Sequence, residues 1–107
     1  MRTISLGRAA TWREGEGRTV LLMPGFSAYV FRYKGQMRAF LNRCTHMGGP
    51  IELVDGKCVC RWHEAEFDVT TGERLDGGSA PLEAIVVKQI GEELALEWSI
   101  PKDPFSV

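Results

Sequence analysis

A two-residue turn at Asp55-Gly56 constrains this chain more than any other feature of its sequence. That dipeptide is strongly favoured for a tight β-hairpin, and the runs flanking it, Ile51–Val54 and Lys57–Cys60, carry apolar residues at every second position. Closing the hairpin brings Pro50 close to Cys60. Cys44-Thr45-His46 and Cys60-Arg61-Trp62-His63 then leave its open end as two neighbouring loops. The chain's only two histidines and two of its three cysteines are thereby gathered in one place.

The rest of the chain reads the same way. Ile4 and Leu6 alternate with Thr3 and Ser5. Apolar runs at 19–23, 28–33, 36–41, 66–69, 84–88 and 93–98 are separated by Pro24-Gly25, Lys34-Gly35, Thr71-Gly72 and the stretch Gly77-Gly78-Ser79-Ala80-Pro81. No segment sustains helical spacing over three turns, so the expected class is all-β. A length of 107 residues gives one domain, 1–107, with one modest core. A cofactor tying such a fold together would be useful.

Composition narrows the function classes. The chain is 44% hydrophobic and 25% charged, no apolar run approaches the roughly 18 residues of a membrane span, and the N-terminus lacks a secretion signal. A soluble, cytoplasmic protein is expected, with no membrane partner. An odd number of cysteines without a secretion signal argues against a disulfide framework and for thiolates used as ligands. Residues 1–43 carry eight Lys/Arg against two Asp/Glu, and residues 44–107 carry five against twelve. The part holding the Cys/His constellation is acidic, which excludes nucleic acid as the expected partner and favours proteins with basic docking patches. The competing reading is a solvated surface whose two halves interleave on folding.

Four Cys and His residues in paired loops point to metal ligation rather than to small buried hydrophobes and surface imidazoles. A structural zinc site favours Cys pairs two to four residues apart and a His-x3–5-His arm, and this sequence has neither. One thiolate and one imidazole from each loop instead let two thiolates hold one iron and two imidazoles another. Here the sequence resembles the Rieske-type ferredoxins. The matching residues are CTHMGGP at 44–50, CRWHEAEFD at 60–68 and GGSAPL at 77–82, the last similar to the family's proline-containing loop over the cluster. The resemblance implies stacked antiparallel sheets with a two-loop cluster-binding subdomain at about 42–82, and one [2Fe-2S] cluster. In it Cys44 and Cys60 would bind the inner iron, and His46 and His63 the outer iron.

The chain departs from the high-potential members of that family. Their inter-loop disulfide positions correspond to Gly49 and Trp62, and their Ser and Tyr sulfur donors to Ala65 and Phe67. Arg61 and Glu64 stand where the family usually has Pro and Gly, and 13 residues separate His46 from Cys60, fewer than the usual gap. Cys58 reads as a small buried residue beneath the cluster in preference to a fifth ligand, and Trp62 and Met47 as shields against water. The implied function is a low-potential, dioxygenase-ferredoxin-like carrier, monomeric, passing one electron from a ferredoxin reductase to a terminal oxygenase. It would have no catalysis of its own, since both histidines are already committed. The alternatives are an accessory subunit similar to the small subunit of nitrite reductase, and a structural zinc or interaction module. With fewer donors to the sulfurs, the midpoint potential is expected on the order of −150 mV, the bottom of the Rieske range. Spectroelectrochemical titration checks this, and a midpoint above zero contradicts it.

Overall fold

The computed structural model describes residues 2–42, 50–60, 64–75 and 81–98. The described residues form nine strands: β1 (Arg2–Arg8), β2 (Gly17–Met23), β3 (Phe26–Tyr33), β4 (Gln36–Leu41), β5 (Ile51–Val54), β6 (Lys57–Cys60), β7 (Glu66–Asp68), β8 (Ala84–Ile90) and β9 (Glu93–Trp98). They form a six-stranded sheet of order β1-β9-β8-β4-β3-β2 and a three-stranded sheet β5-β6-β7, with every strand pairing antiparallel. The all-β expectation and the stacked sheets stand. One element was not foreseen, a single 3-10 turn at Ala9–Thr11. No helix among the described residues is long and apolar enough to cross a membrane.

The core explains the layering. Ala28, Tyr29, Val30 and Phe31 in β3 are all buried, because that strand is covered on both faces. Ala28 and Val30 point into a cluster with Leu6, Leu22, Leu94, Leu96 and Trp98, across which the two halves of the six-stranded sheet face each other. β4 and β8 join those halves through only two residue pairs, Ala39↔Ile85 and Phe40↔Ala84. Tyr29 and Phe31 point the other way, with Phe40, into a second cluster closed by Ile51, Cys58, Cys60, Ala65, Phe67 and Leu82. The three-stranded sheet is thus a lid of its own over the outer face of β3 and β4. Each fully buried Phe, at 31, 40 and 67, contributes about 2–3 kcal/mol to holding the layers together.

Two turns have the geometry their sequence requires. Asp55 and Gly56 have φ of 48° and 77°, and Lys34 and Gly35 have φ of 51° and 77°. Positive values at both central residues define the hairpin turn whose twist matches the strands it joins. The pairs Val54↔Lys57 and Tyr33↔Gln36 close them.

Charge is partly interleaved. Arg8 on β1 pairs with Glu92 at 3.8 Å, and Lys88 on β8 pairs with Glu97 on β9. The first of these pairs joins the basic start to the acidic part, while the second lies within the acidic part. The layer of β5 to β7 with the turn after it, residues 50–60 and 64–75, keeps six Asp/Glu against two Lys/Arg.

Gly17 marks a close approach. A Cβ there would lie 2.1 Å from the Tyr29 Oη, and the Tyr29 ring is buried between layers. Gly17→Ala is expected to destabilise the fold by about 2 kcal/mol through overpacking; an unchanged urea midpoint would contradict this placement.

Candidate metal centre

Cys60 is the last residue of β6, and its side chain is fully buried. Strand alternation puts it on the face of Cys58, and the hairpin register sets it opposite Ile51. Its backbone is satisfied locally: its N–H donates to the Ala65 carbonyl and its carbonyl accepts from the Glu64 N–H, each at 2.8 Å. These bonds close the root of the segment 61–63. The root of the segment 43–49 is closed beside it, where the Ile51 N–H donates to Asn42 Oδ1 at 2.8 Å. A third root follows, where the Leu82 N–H donates to the Gly72 carbonyl at 2.9 Å directly after Pro81. Ile51, Cys60, Ala65 and Leu82 belong to one buried cluster. Cys44, His46 and His63 lie outside the described residues, as do Met47, Gly49, Arg61, Trp62 and the residues 76–80.

The wall around Cys60 suits a thiolate-bound group. No polar or charged residue is buried among the described residues, and Ala65 and Phe67, the positions compared above with hydroxyl donors, are 1% and 0% exposed. A thiolate in such a wall is costly unless a cation balances it, which bridged irons do. Cys58 shares that wall and is fully buried. Burial, and after it the nearby Asp68 carboxylate, pushes its thiol up to about 12. Tyr29 is also pushed upward, by burial first, and its Oη accepts the Leu53 N–H at 3.0 Å.

The anchor for Leu82 is built by Asp68. Its Oδ1 accepts from the N–H groups of Thr70 (2.7 Å) and Thr71 (3.0 Å), and its carbonyl accepts from the Gly72 N–H at 2.8 Å. Gly72 has φ of 77°, and a Cβ there would meet Phe40 at 2.9 Å and the Leu82 carbonyl at 3.0 Å. Asp68, Asn42 and Tyr29 do not stand out as site residues in the sequence. Asp and Asn are ordinary turn residues, and the only available signal was that each directly follows or ends a strand.

The comparisons with known proteins agree with this arrangement. The family model of the Rieske [2Fe-2S] domain matches residues 4–95. A human protein described as a Rieske domain-containing protein is 31% identical over 80 residues, 68% of this chain and 50% of that protein; the chain spans about half the length of that curated relative. The complex of reduced oxygenase and oxidized ferredoxin in carbazole 1,9a-dioxygenase contains a chain that superposes with a TM-score of 0.78 at 22% identity, covering 88% of this chain and 91% of that one. A putative NADH-dependent nitrite reductase small subunit from Mycobacterium tuberculosis gives 0.71 at 16% identity, covering 92% and 97%.

Two outcomes test the frame of the centre. Hydrogen bonds from Thr71 and Thr70 hold the Asp68 carboxyl below the usual range. A lowered native value means its stabilisation is present above the ordinary aspartate pKa of about 3.9 and is lost as pH falls through the native value. The urea midpoints of wild type and Asp68→Ala should therefore stand apart at neutral pH and converge below about pH 4; a gap independent of pH would contradict the assignment. Glu64 has φ of 55°, in the region that favours glycine. Glu64→Gly is expected to relieve about 1 kcal/mol of strain and return part of it as unfolded-chain freedom, raising the thermal midpoint by a few degrees. A lowered midpoint would show that the Glu64 side chain contributes more than its backbone costs.

Proposed function

This chain belongs to the Rieske [2Fe-2S] domain family, and we propose that it works as a soluble, monomeric one-electron carrier of the cytoplasm, taking electrons from a ferredoxin reductase and delivering them to a terminal oxygenase. The domain holds one [2Fe-2S] cluster, which takes up and releases a single electron without bond making. Its ligands are proposed to be Cys44, His46, Cys60 and His63, within a subdomain of residues 42–82. The observation that carries this reading is the meeting of three loop roots on one apolar wall that contains Cys60.

The chain's own residues divide the work. Cys60, on the buried wall, and Cys44 would supply the sulfur ligands. His46 and His63, as imidazoles in place of two thiolates, would remove two negative charges from the centre and make an added electron less opposed. Ala65 and Phe67 donate nothing to sulfur and hold the potential down. The acidic layer of β5 to β7 favours partners with a basic patch near the centre. The fold likeness to the carbazole dioxygenase ferredoxin complex supports an oxygenase as acceptor. The likeness to a nitrite reductase small subunit supports a second reading, an accessory subunit; co-purification with a large flavin or sirohaem subunit would favour it.

Purified aerobically, the protein should contain two irons and two sulfides per chain and be reduced by one electron with a rhombic EPR signal. Changing His46 or His63 to alanine should abolish that signal. An unchanged spectrum removes the residue from the ligand set, and a colourless, zinc-loaded wild type overturns the function.

A further inference from the structure

Among the described strands, β5 is an edge strand whose outer hydrogen-bonding row is not met by another. β6 pairs with it on one side. On the other side its inward residues Ile51 and Leu53 donate their N–H groups to side chains of the large sheet, Ile51 to Asn42 Oδ1 at 2.8 Å and Leu53 to Tyr29 Oη at 3.0 Å. Two side-chain acceptors, spaced to match every second residue of a strand, therefore key one sheet onto the other. They differ in what lies across the hairpin. Leu53 faces Cys58, while Ile51 faces Cys60.

Asn42 is itself held firmly. Its N–H donates to the Ser27 carbonyl of β3 at 2.8 Å, and its Nδ2 lies 3.4 Å from Thr19 Oγ1 on β2. It follows the last residue of β4 directly. Its amide oxygen is thus fixed relative to three strands of the large sheet and offers the Ile51 N–H one place to bind. We propose that Asn42 is a positioning residue for the metal centre: by accepting the Ile51 N–H it sets where the hairpin end carrying Cys60 lies on the large sheet. This inference rests on Cys60 being a cluster ligand. Among the described residues, Asn42 reaches Cys60 through Ile51 and the cross-strand pair Ile51↔Cys60.

The test compares Asn42→Ala with Asn42→Asp and Tyr29→Phe in the cluster-loaded protein. The aspartate keeps an oxygen for Ile51, and the phenylalanine removes the neighbouring key beside Cys58. The readouts are the EPR line shape of the reduced protein and the rate of bleaching in the presence of an iron chelator, with the urea midpoint measured in parallel. Losing one half-buried hydrogen bond from the geometry of the ligand hairpin should speed bleaching on the order of tenfold in Asn42→Ala and shift its g values. Asn42→Asp should bleach within about twofold of wild type, since the acceptor remains. Tyr29→Phe should lower the urea midpoint and leave the line shape unchanged. If Asn42→Ala does not fold, Asn42→Gln, which keeps the amide and displaces its oxygen by one methylene, replaces it with the same expectation. Wild-type bleaching and line shape in a variant that has lost only stability would reduce Asn42 to a structural residue and overturn the inference. So would equal effects of Asn42→Ala and Tyr29→Phe on the spectrum. A wild type that binds no cluster would overturn the functional reading instead, and the two failures are told apart by the wild-type spectrum alone.

Discussion

The register of the β5–β6 hairpin governs everything else in this molecule. Side chains alternate along a strand, so a slip of one residue would turn Cys60 and Cys58 outward and bring Val59 in. What prevents the slip is local: Asp55 and Gly56, both at positive φ, permit one two-residue turn and one pairing, Val54↔Lys57 through Ile51↔Cys60. The buried pair of Cys58 and Phe67 then fixes the next strand, β7, in the same sense. A turn at the far end of the hairpin thus determines which thiol reaches the inner face at its open end.

Around that thiol the wall is apolar. Cys58 fills the same buried face two residues earlier, its own thiol pushed up to about 12 by burial. Ala65 and Phe67 line the wall without hydroxyls, and the Tyr29 hydroxyl is engaged by the Leu53 N–H. The anchor under Pro81 depends on the Asp68 turn and on Gly72, where a side chain would collide with Phe40 and Leu82. A small core of this size cannot offer much redundancy, and these contacts are accordingly few and specific. The acidic surplus outside the wall acts at longer range, on the approach of partners rather than on the fold.

Much of this was legible in the sequence because it is encoded within a few residues. The β3–β4 and β5–β6 hairpins follow from Lys34-Gly35 and Asp55-Gly56, and the strands from period-two patterning, with ends displaced by one or two residues at β1, β2, β3, β7 and β8. The candidate centre was proposed because each histidine lies two or three residues after a cysteine, and Cys60 is its member among the described residues. The 3-10 turn at Ala9–Thr11 was not, since it is held by Arg32, whose Nε and Nη2 donate to the carbonyls of Trp12 and Ala9 from more than twenty residues away in one case and twenty in the other. Asn42 and Tyr29 were hidden for the same reason: nothing near either residue in the chain announces the strand edge it will serve. Glu64 was visible as a departure from glycine, but its left-handed backbone became apparent only with the Cys60–Ala65 closure around it.

The proposed centre is a cluster held by sulfur from one pair of side chains and nitrogen from another. Pulsed EPR of the dithionite-reduced protein, prepared with and without 15N-labelled histidine, addresses that directly. The prediction is strong hyperfine coupling to two histidine nitrogens, changing from 14N to 15N patterns with the label. A reduced cluster without histidine couplings would contradict it, because the irons would then be held by a different set of residues.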